Sequence, residues 1–139
     1  MHRTAIAAMG VAVVAACIGT PNAAADNRVC STTSCSFTTA SHTISCEMDF
    51  ERSDGVPDQT YCQSTTPPQS VTMSLIGEMK TCTGESCLGN AGQGTPILPN
   101  GDHAEVGPFS CNVEPNAVTC MANARVGFTI DNSAITTFG

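Results

Sequence analysis

The stretch Phe109–Ala122, which reads FSCNVEPNAVTCMA, decides the fold class of this chain. On both sides of residues 114–117, apolar or cysteine side chains occupy every second position, a period that is typical of strands with one buried face. A four-residue hairpin loop at 114–117 places Cys111 directly opposite Cys120. Opposed Cα atoms lie about 4.5–5.5 Å apart, which a disulfide accepts. The stretch therefore predicts a hairpin closed by a Cys111–Cys120 bond.

The same alternation recurs along the rest of the chain. The segments Ile44–Phe50, Val71–Leu75 and Val126–Ile130 each place apolar or cysteine side chains at every second position. Turn-forming pairs such as Asp54-Gly55 and Asn100-Gly101 punctuate these runs. After the N-terminal segment, no window of helical length stands out. Residues 26–139 are therefore predicted to form a single all-β domain, a small antiparallel sandwich or barrel.

Four further segments carry predictions about local structure. A second hairpin turning at Thr39–His42 would place Cys35 opposite Cys46. The segments Asp26–Ser34 and Gln63–Gln69 are predicted to be irregular. The glycine-rich stretch 82–94 has no apolar period, and this predicts a loop held by its own two cysteines.

The first 25 residues have the layout of a helical secretory signal peptide. After a short basic start, Ala5–Ile18 is an uncharged apolar run, and it is shorter than the ~20 residues that span a bilayer. The small residues that end at Ala25 predict cleavage there, so the mature chain starts at Asp26. The tetrapeptide that ends in Cys17 also resembles a bacterial lipobox. Lipidation of Cys17 is therefore the alternative to simple release.

Residues 26–139 contain eight cysteines, and an even count in an exported chain indicates a disulfide framework. Eight cysteines allow 105 connectivities, and pairing between chain neighbours is our prediction. A zinc site is the alternative, but the chain has no C-x-x-C, and no His lies at ligand spacing from a cysteine. The predicted bonds are Cys30–Cys35, Cys46–Cys62, Cys82–Cys87 and Cys111–Cys120.

The charge balance and the motifs restrict the partners. All 12 acidic residues lie after Ala25, against four basic ones, Arg28, Arg52, Lys80 and Arg125. An acidic surface repels phosphate backbones, so nucleic acid is excluded as a partner. No phosphate-binding loop or dinucleotide fingerprint occurs, so no cofactor is predicted. No segment of the mature chain is apolar enough to span a membrane.

Candidate chemistry in the mature chain is sparse. Its two histidines, His42 and His103, both lie beside turn residues, and Ser86 misses the spacing of a nucleophile elbow by one residue. Glu47, Asp49 and Glu51 share the polar face of one predicted strand, which is compatible with weak cation binding but is more typical of a solvated face. We therefore assign no catalytic, cofactor-binding or metal-ligating residue.

The C-terminal third carries a family-like pattern at residues 97–101, 107–111, 117–120 and 126–130, with looser similarity back to Phe37. In this pattern the chain resembles a family of small secreted proteins of mycobacteria and related actinobacteria, grouped as a domain of unknown function. Val126 stands where the family usually has a His, and the Trp that the family often carries is missing. The resemblance implies export and a cystine-tied β domain, and it implies no activity.

The sequence thus predicts a secreted or envelope-associated, non-enzymatic module. We expect it to bind an unknown extracellular or envelope protein, or a small molecule, through loop 82–94, because loops on a rigid scaffold commonly carry binding. A small secreted hydrolase is one alternative and would need His42 or His103 beside a carboxylate and a nucleophile. A protease-inhibitor-like protein with a rigid cystine-locked loop is another. The third alternative is an envelope lipoprotein acylated at Cys17.

Overall fold

The computed structural model describes residues 29–91 and 94–139. The predicted signal peptide, the cleavage site after Ala25 and the candidate lipidation site Cys17 lie outside the described residues. Within the described residues, none of the helical segments has the length and apolar character needed to cross a bilayer.

The described chain folds into two antiparallel sheets of five strands each. Each sheet is a meander in which strands that follow one another in sequence also pair. The N-sheet contains β1 (Ser34–Thr38), β2 (Ile44–Asp49), β3 (Gln59–Thr65), β4 (Pro68–Ser74) and β5 (Met79–Thr83). The C-sheet contains β6 (His103–Val106), β7 (Phe109–Glu114), β8 (Ala117–Ala122), β9 (Val126–Asp131) and β10 (Ile135–Phe138).

The two sheets share one core, so the predicted all-β architecture is a sandwich. Alternate residues of both sheets are buried in a single apolar cluster, as the period of two predicts. Sulfur atoms meet at its centre: Cys62 Sγ of the N-sheet lies 3.6 Å from Cys120 Sγ of the C-sheet. Likewise, Cys111 Sγ lies 3.5 Å from Met48 Sδ. The inner faces therefore contact each other directly through their sulfur-bearing side chains.

Four disulfides form, with the pairs that the sequence predicts: Cys30–Cys35, Cys46–Cys62, Cys82–Cys87 and Cys111–Cys120. The β7–β8 register matches the prediction, with Cys111 opposite Cys120 and a Cα–Cα distance of 4.1 Å. The loop is shorter than the predicted four residues, because Glu114 pairs with Ala117 and only Pro115 and Asn116 lie between them. Cys46 and Cys62 face each other in the same way across β2 and β3. These two cross-strand bonds lie in the core, whereas Cys82 is exposed at the edge strand β5.

The predicted β1–β2 register is wrong by two residues. Cys35 lies opposite Met48 and not opposite Cys46, which faces Phe37. The last strand pair is Thr38 with Ser45, so the turn is longer than the four-residue loop that would place Cys35 opposite Cys46. Within this turn, a Thr39–Ile44 backbone hydrogen bond and the left-handed His42 close the chain.

The prediction of an irregular segment at Gln63–Gln69 is also wrong. This segment holds the end of β3 and the start of β4, joined by a tight turn at Thr66-Pro67. Pro68 is compatible with a strand because it is the first residue of β4. The glycine-rich stretch 82–94 is largely a loop as predicted, although Cys82 and Thr83 complete β5 and a short 3₁₀ turn follows at Glu85–Cys87.

Candidate functional site

The connection from β5 to β6 crosses the outer face of the N-sheet. We call its described residues, 84–91 and 94–97, the crossing loop. At its start, the Gly84 N–H donates to the carbonyl of Pro68 on β4 at 2.8 Å. At its end, the Thr38 N–H on β1 donates to the carbonyl of Pro96 at 2.9 Å. The loop therefore runs from one side of the sheet to the other.

The middle of the crossing loop is held by two side chains of β3. Tyr61 and Gln63 point outward, because the residues that alternate with them, such as Cys62, belong to the core. The Gly89 N–H donates to Gln63 Oε1 at 2.7 Å, and Gln63 Nε2 donates back to the Gly89 carbonyl at 2.9 Å. The Tyr61 hydroxyl lies 2.8 Å from Gln63 Oε1 and 3.1 Å from the Cys87 carbonyl. These contacts hold the loop against the sheet.

A pocket of about 160 Å³ lies between the crossing loop and strands β1 to β3. Its floor is the outer face of the sheet and its roof is the loop. None of the described lining residues is basic. The lining consists of Ser36, Phe37, Ser45, Cys46, Glu47, Tyr61, Gln63, Gly89, Asn90, Ala91 and Thr95.

Strand register makes the polar lining residues neighbours. Ser36 on β1 lies directly opposite Glu47 on β2, which lies directly opposite Tyr61 on β3. Ser45 lies two residues before Glu47 and therefore on the same face. Within the described part of the chain, the hydroxyls of Ser36 and Ser45 make no hydrogen bond, and both residues are half-buried. The pocket thus contains side-chain donors and acceptors that the fold itself does not use.

Glu47 carries the carboxylate of the pocket. Its side chain is 48% exposed, and Arg52 Nη1 lies 3.6 Å from one of its oxygens. Burial raises the pKa of Glu47, and the neighbouring Asp49 carboxylate adds to this rise, whereas Arg52 opposes it. The negative charge of Glu47 is therefore incompletely compensated.

The acidic strand face considered for weak cation binding is organised around Arg52. Its guanidinium lies 2.7 Å from the carboxylate of the buried Asp49 and also pairs with Asp54. Glu51 lies beyond the end of β2, where its N–H donates to Asp58 at 2.7 Å. Because Arg52 fills the space between the acids, this cluster is an ion-pair network.

Three core sulfur atoms lie within 4.8 Å of one another, those of Cys46, Cys62 and Cys120. Each of them is bonded in a disulfide and so lacks the thiolate that a zinc ion needs. The close approach reflects the packing of two cystines across the sandwich.

The residues considered for hydrolysis lie in separate places. His42 is exposed in the β1–β2 turn, and Ser86 is exposed in the 3₁₀ turn beside the bridged Cys87. His103 lines a second pocket of about 400 Å³ beside Cys30, where its Nε2 lies 4.0 Å from Glu105. The serine hydroxyl of that pocket, on Ser31, accepts the N–H of Ser34 at 3.1 Å and so caps a turn.

Comparison with known proteins assigns no relative to the chain. No protein-family model matches it, and no curated protein and no solved structure gives a significant match.

Sequence reasoning identified loop 82–94 but not the strand residues beneath it. Tyr61 and Gln63 hold the loop, and both lie in or beside a segment predicted to be irregular. The loop presents main-chain groups of Cys87 and Gly89 to them, and such groups leave no signature in a sequence. The one available signal was Tyr61 itself, since it is the single tyrosine of the chain and follows the alternation of β3.

Proposed function

We propose that this protein is an exported, non-enzymatic binding module whose ligand occupies the pocket beneath the crossing loop. The observation that carries the proposal is the pair of unpaired hydroxyls, Ser36 and Ser45, beside Glu47 under a hydrogen-bonded roof. Ser36 and Ser45 are half-buried and their hydroxyls are open to the pocket, so they are available to a ligand that pairs with them. The volume of about 160 Å³ suits a small molecule.

Rigidity of the floor also supports binding. The floor belongs to β1, β2 and β3, and the buried Cys46–Cys62 bond joins β2 to β3 from behind. The roof is pinned at its start by Cys82–Cys87 and over β3 by Gln63. A site that is formed before the ligand arrives loses little conformational entropy on binding.

The direct test is a screen of the mature, oxidised protein by two-dimensional amide NMR against a mixed library of small polar molecules. We expect ligands that shift the amide signals of Ser36, Ser45 and Gly89 together. Ser45→Leu places a bulky apolar side chain in the pocket and should abolish these shifts.

The matched control is Ser110→Leu, because Ser110 is also a half-buried serine on the outer face of a strand, but in the C-sheet. It should leave the ligand-induced shifts intact. A library that shifts no signals around the pocket would overturn the proposal. So would shifts that cluster instead at Cys30 and His103, in the second pocket.

Export is part of the same proposal. It is supported by the signal-like residues 1–25 and by four disulfides, which persist in oxidising compartments. The resemblance to small secreted actinobacterial proteins supports it as well, and we include that kinship in the proposal. Intact mass and N-terminal sequencing of the exported protein should give a chain that starts at Asp26. A diacylated Cys17 in the detergent phase would instead establish the lipoprotein alternative.

The alternative functions have weaker support. An inhibitory loop would present its backbone to a protease, whereas the crossing loop turns the Gly89 amide and carbonyl inward onto Gln63. A hydrolase would need a nucleophile beside His103, and the Ser31 hydroxyl of the same pocket already accepts backbone N–H groups.

A further inference from the structure

We propose that the ligand of this pocket is a small organic cation, a primary amine whose ammonium group lies among Glu47, Ser36 and Ser45. This inference rests on the proposed function and specifies the chemical class of the ligand. It follows from charge, from hydrogen-bonding capacity and from the arrangement of the three side chains.

Charge is the first argument. The described lining carries the carboxylate of Glu47 and no basic side chain, and the whole chain has a formal net charge of −7. A concave site with one sign of charge attracts ligands of the opposite sign and repels anions. Anionic ligands are therefore disfavoured, and a cation is attracted to the Glu47 carboxylate.

Competition from Arg52 is the obvious objection, since its guanidinium approaches Glu47. That contact is 3.6 Å long, whereas Arg52 lies 2.7 Å from Asp49 and also pairs with Asp54. Arg52 is thus engaged mainly by the two aspartates. The pKa of Glu47 agrees, because burial and the Asp49 carboxylate raise it by more than Arg52 lowers it.

Hydrogen-bonding capacity is the second argument. A primary ammonium has three N–H donors and no acceptor. The pocket lining offers acceptors in the hydroxyls of Ser36 and Ser45 and in the carboxylate of Glu47, all on one face of β1 and β2. Opposed side chains on one face lie about 4.5–5.5 Å apart at Cβ, and next-but-one residues of a strand about 7 Å apart, so one small group can reach all three. A hydrogen bond to the charged carboxylate is stronger than one between neutral groups.

The test compares three probes that share one ring and differ in charge: cyclohexylamine, cyclohexanol and cyclohexanecarboxylate. Titration followed by the amide signals of Ser36, Ser45 and Gly89 should give the tightest binding for the amine, at least tenfold tighter than for the alcohol. The carboxylate should bind weakest of the three. Added salt should weaken the amine more than the alcohol, because salt screens the charge.

Glu47→Gln should remove the preference for the amine over the alcohol. The matched control is Glu105→Gln, which removes an exposed carboxylate from a C-sheet strand and should keep the preference. Equal binding of amine and alcohol, or an amine preference that survives Glu47→Gln, would overturn the cation assignment. Neither result would contradict the proposed function, which the library screen and the Ser45→Leu variant test separately.

Discussion

The two sheets of the sandwich are alike on their inner faces and differ on their outer faces. Each is a five-stranded meander, and each has one buried cross-strand disulfide. The two disulfides contact each other in the core. Outside, the N-sheet is covered by the crossing loop and holds the pocket. On the corresponding face of the C-sheet, Thr119 and Thr129 pair hydroxyl to hydroxyl at 2.8 Å. The comparison separates the residues that maintain the fold from those that we propose bind a ligand.

The largest expected effect concerns the inner faces. Replacing Cys111 and Cys120 together with Ala should lower the free energy of unfolding by about 2–4 kcal/mol, and replacing Cys46 and Cys62 should cost a similar amount. Both pairs are buried, so each replacement also removes core packing. Chemical denaturation of both double variants measures this.

The two losses should not add in the quadruple variant, because Cys62 Sγ and Cys120 Sγ are in contact at 3.6 Å. A cost below about 1 kcal/mol for one pair alone would contradict the equivalence of the two inner faces.

The second prediction contrasts two glycines: Gly127 lies in β9 of the C-sheet, and Gly89 lies in the crossing loop over the N-sheet. A Cβ at Gly127 would clash with the carbonyl of Cys120 and lie 2.8 Å from the ring of Phe138. Gly127→Ala should therefore destabilise the domain by about 1–3 kcal/mol, the usual cost of overpacking. A Cβ at Gly89 would meet Gln63 and Tyr61 at an ordinary 3.7 Å.

Gly89→Ala should accordingly change stability by no more than about 0.5 kcal/mol. Thermal unfolding of the two variants side by side checks the difference. If Gly89→Ala proved as damaging as Gly127→Ala, the crossing loop would be part of the folding core and not an addition to it.

The hairpin of β7 and β8 could be predicted in register because its short loop left one way to pair the strands. The β1–β2 register could not, because several hydroxyl residues follow one another in that turn and none of them marks where the strand ends. The segment Gln63–Gln69 was predicted to be irregular because Pro67-Pro68 is typical of loops. In the structure, Pro67 lies in a two-residue turn and Pro68 begins β4. The pocket depends on contacts between distant residues, such as Gly89 with Gln63, which no local pattern encodes.

The third prediction concerns the anchor of the crossing loop. Tyr61→Phe keeps the ring and removes the hydroxyl that lies near Gln63 and the Cys87 carbonyl. We expect a loss of about 0.5–1.5 kcal/mol, the net value of a hydrogen bond in a partly buried site. Hydrogen exchange of the Gly89 amide should become faster, since local opening of the loop becomes easier.

Amides of the C-sheet, such as Cys120, should keep their exchange rates in the same Tyr61→Phe variant. Faster exchange throughout both sheets would mean that Tyr61 supports the whole fold. In that case the loop and its anchor could not be treated as separate from the scaffold.

The smallest expected effect lies on the outer face of the C-sheet. Asn112 and Thr119 oppose each other one position from the Cys111–Cys120 pair, on the other side of the hairpin. Asn112 is exposed, and Thr119 makes its hydroxyl contact with Thr129 near the surface. Replacing Asn112 with Ala should change the free energy of unfolding by no more than about 0.5 kcal/mol. Replacing Thr119 with Ala also removes the hydrogen bond to Thr129, so its cost should stay within about 1.5 kcal/mol. Denaturation of each single variant beside the Cys111/Cys120 double variant gives the comparison.

This prediction is the most sensitive test of the difference between the two outer faces. A one-residue slip of the hairpin would turn Asn112 and Thr119 into the core and the cysteines outward. Losses as large as those of the cysteine pair would therefore mean either that slip or a partner covering the C-sheet. Intact Cys111–Cys120 pairing in the same variants, shown by peptide mapping, would exclude the slip. The C-sheet would then bury its outer face as the N-sheet does, and the contrast between a covered binding face and an open one would be lost.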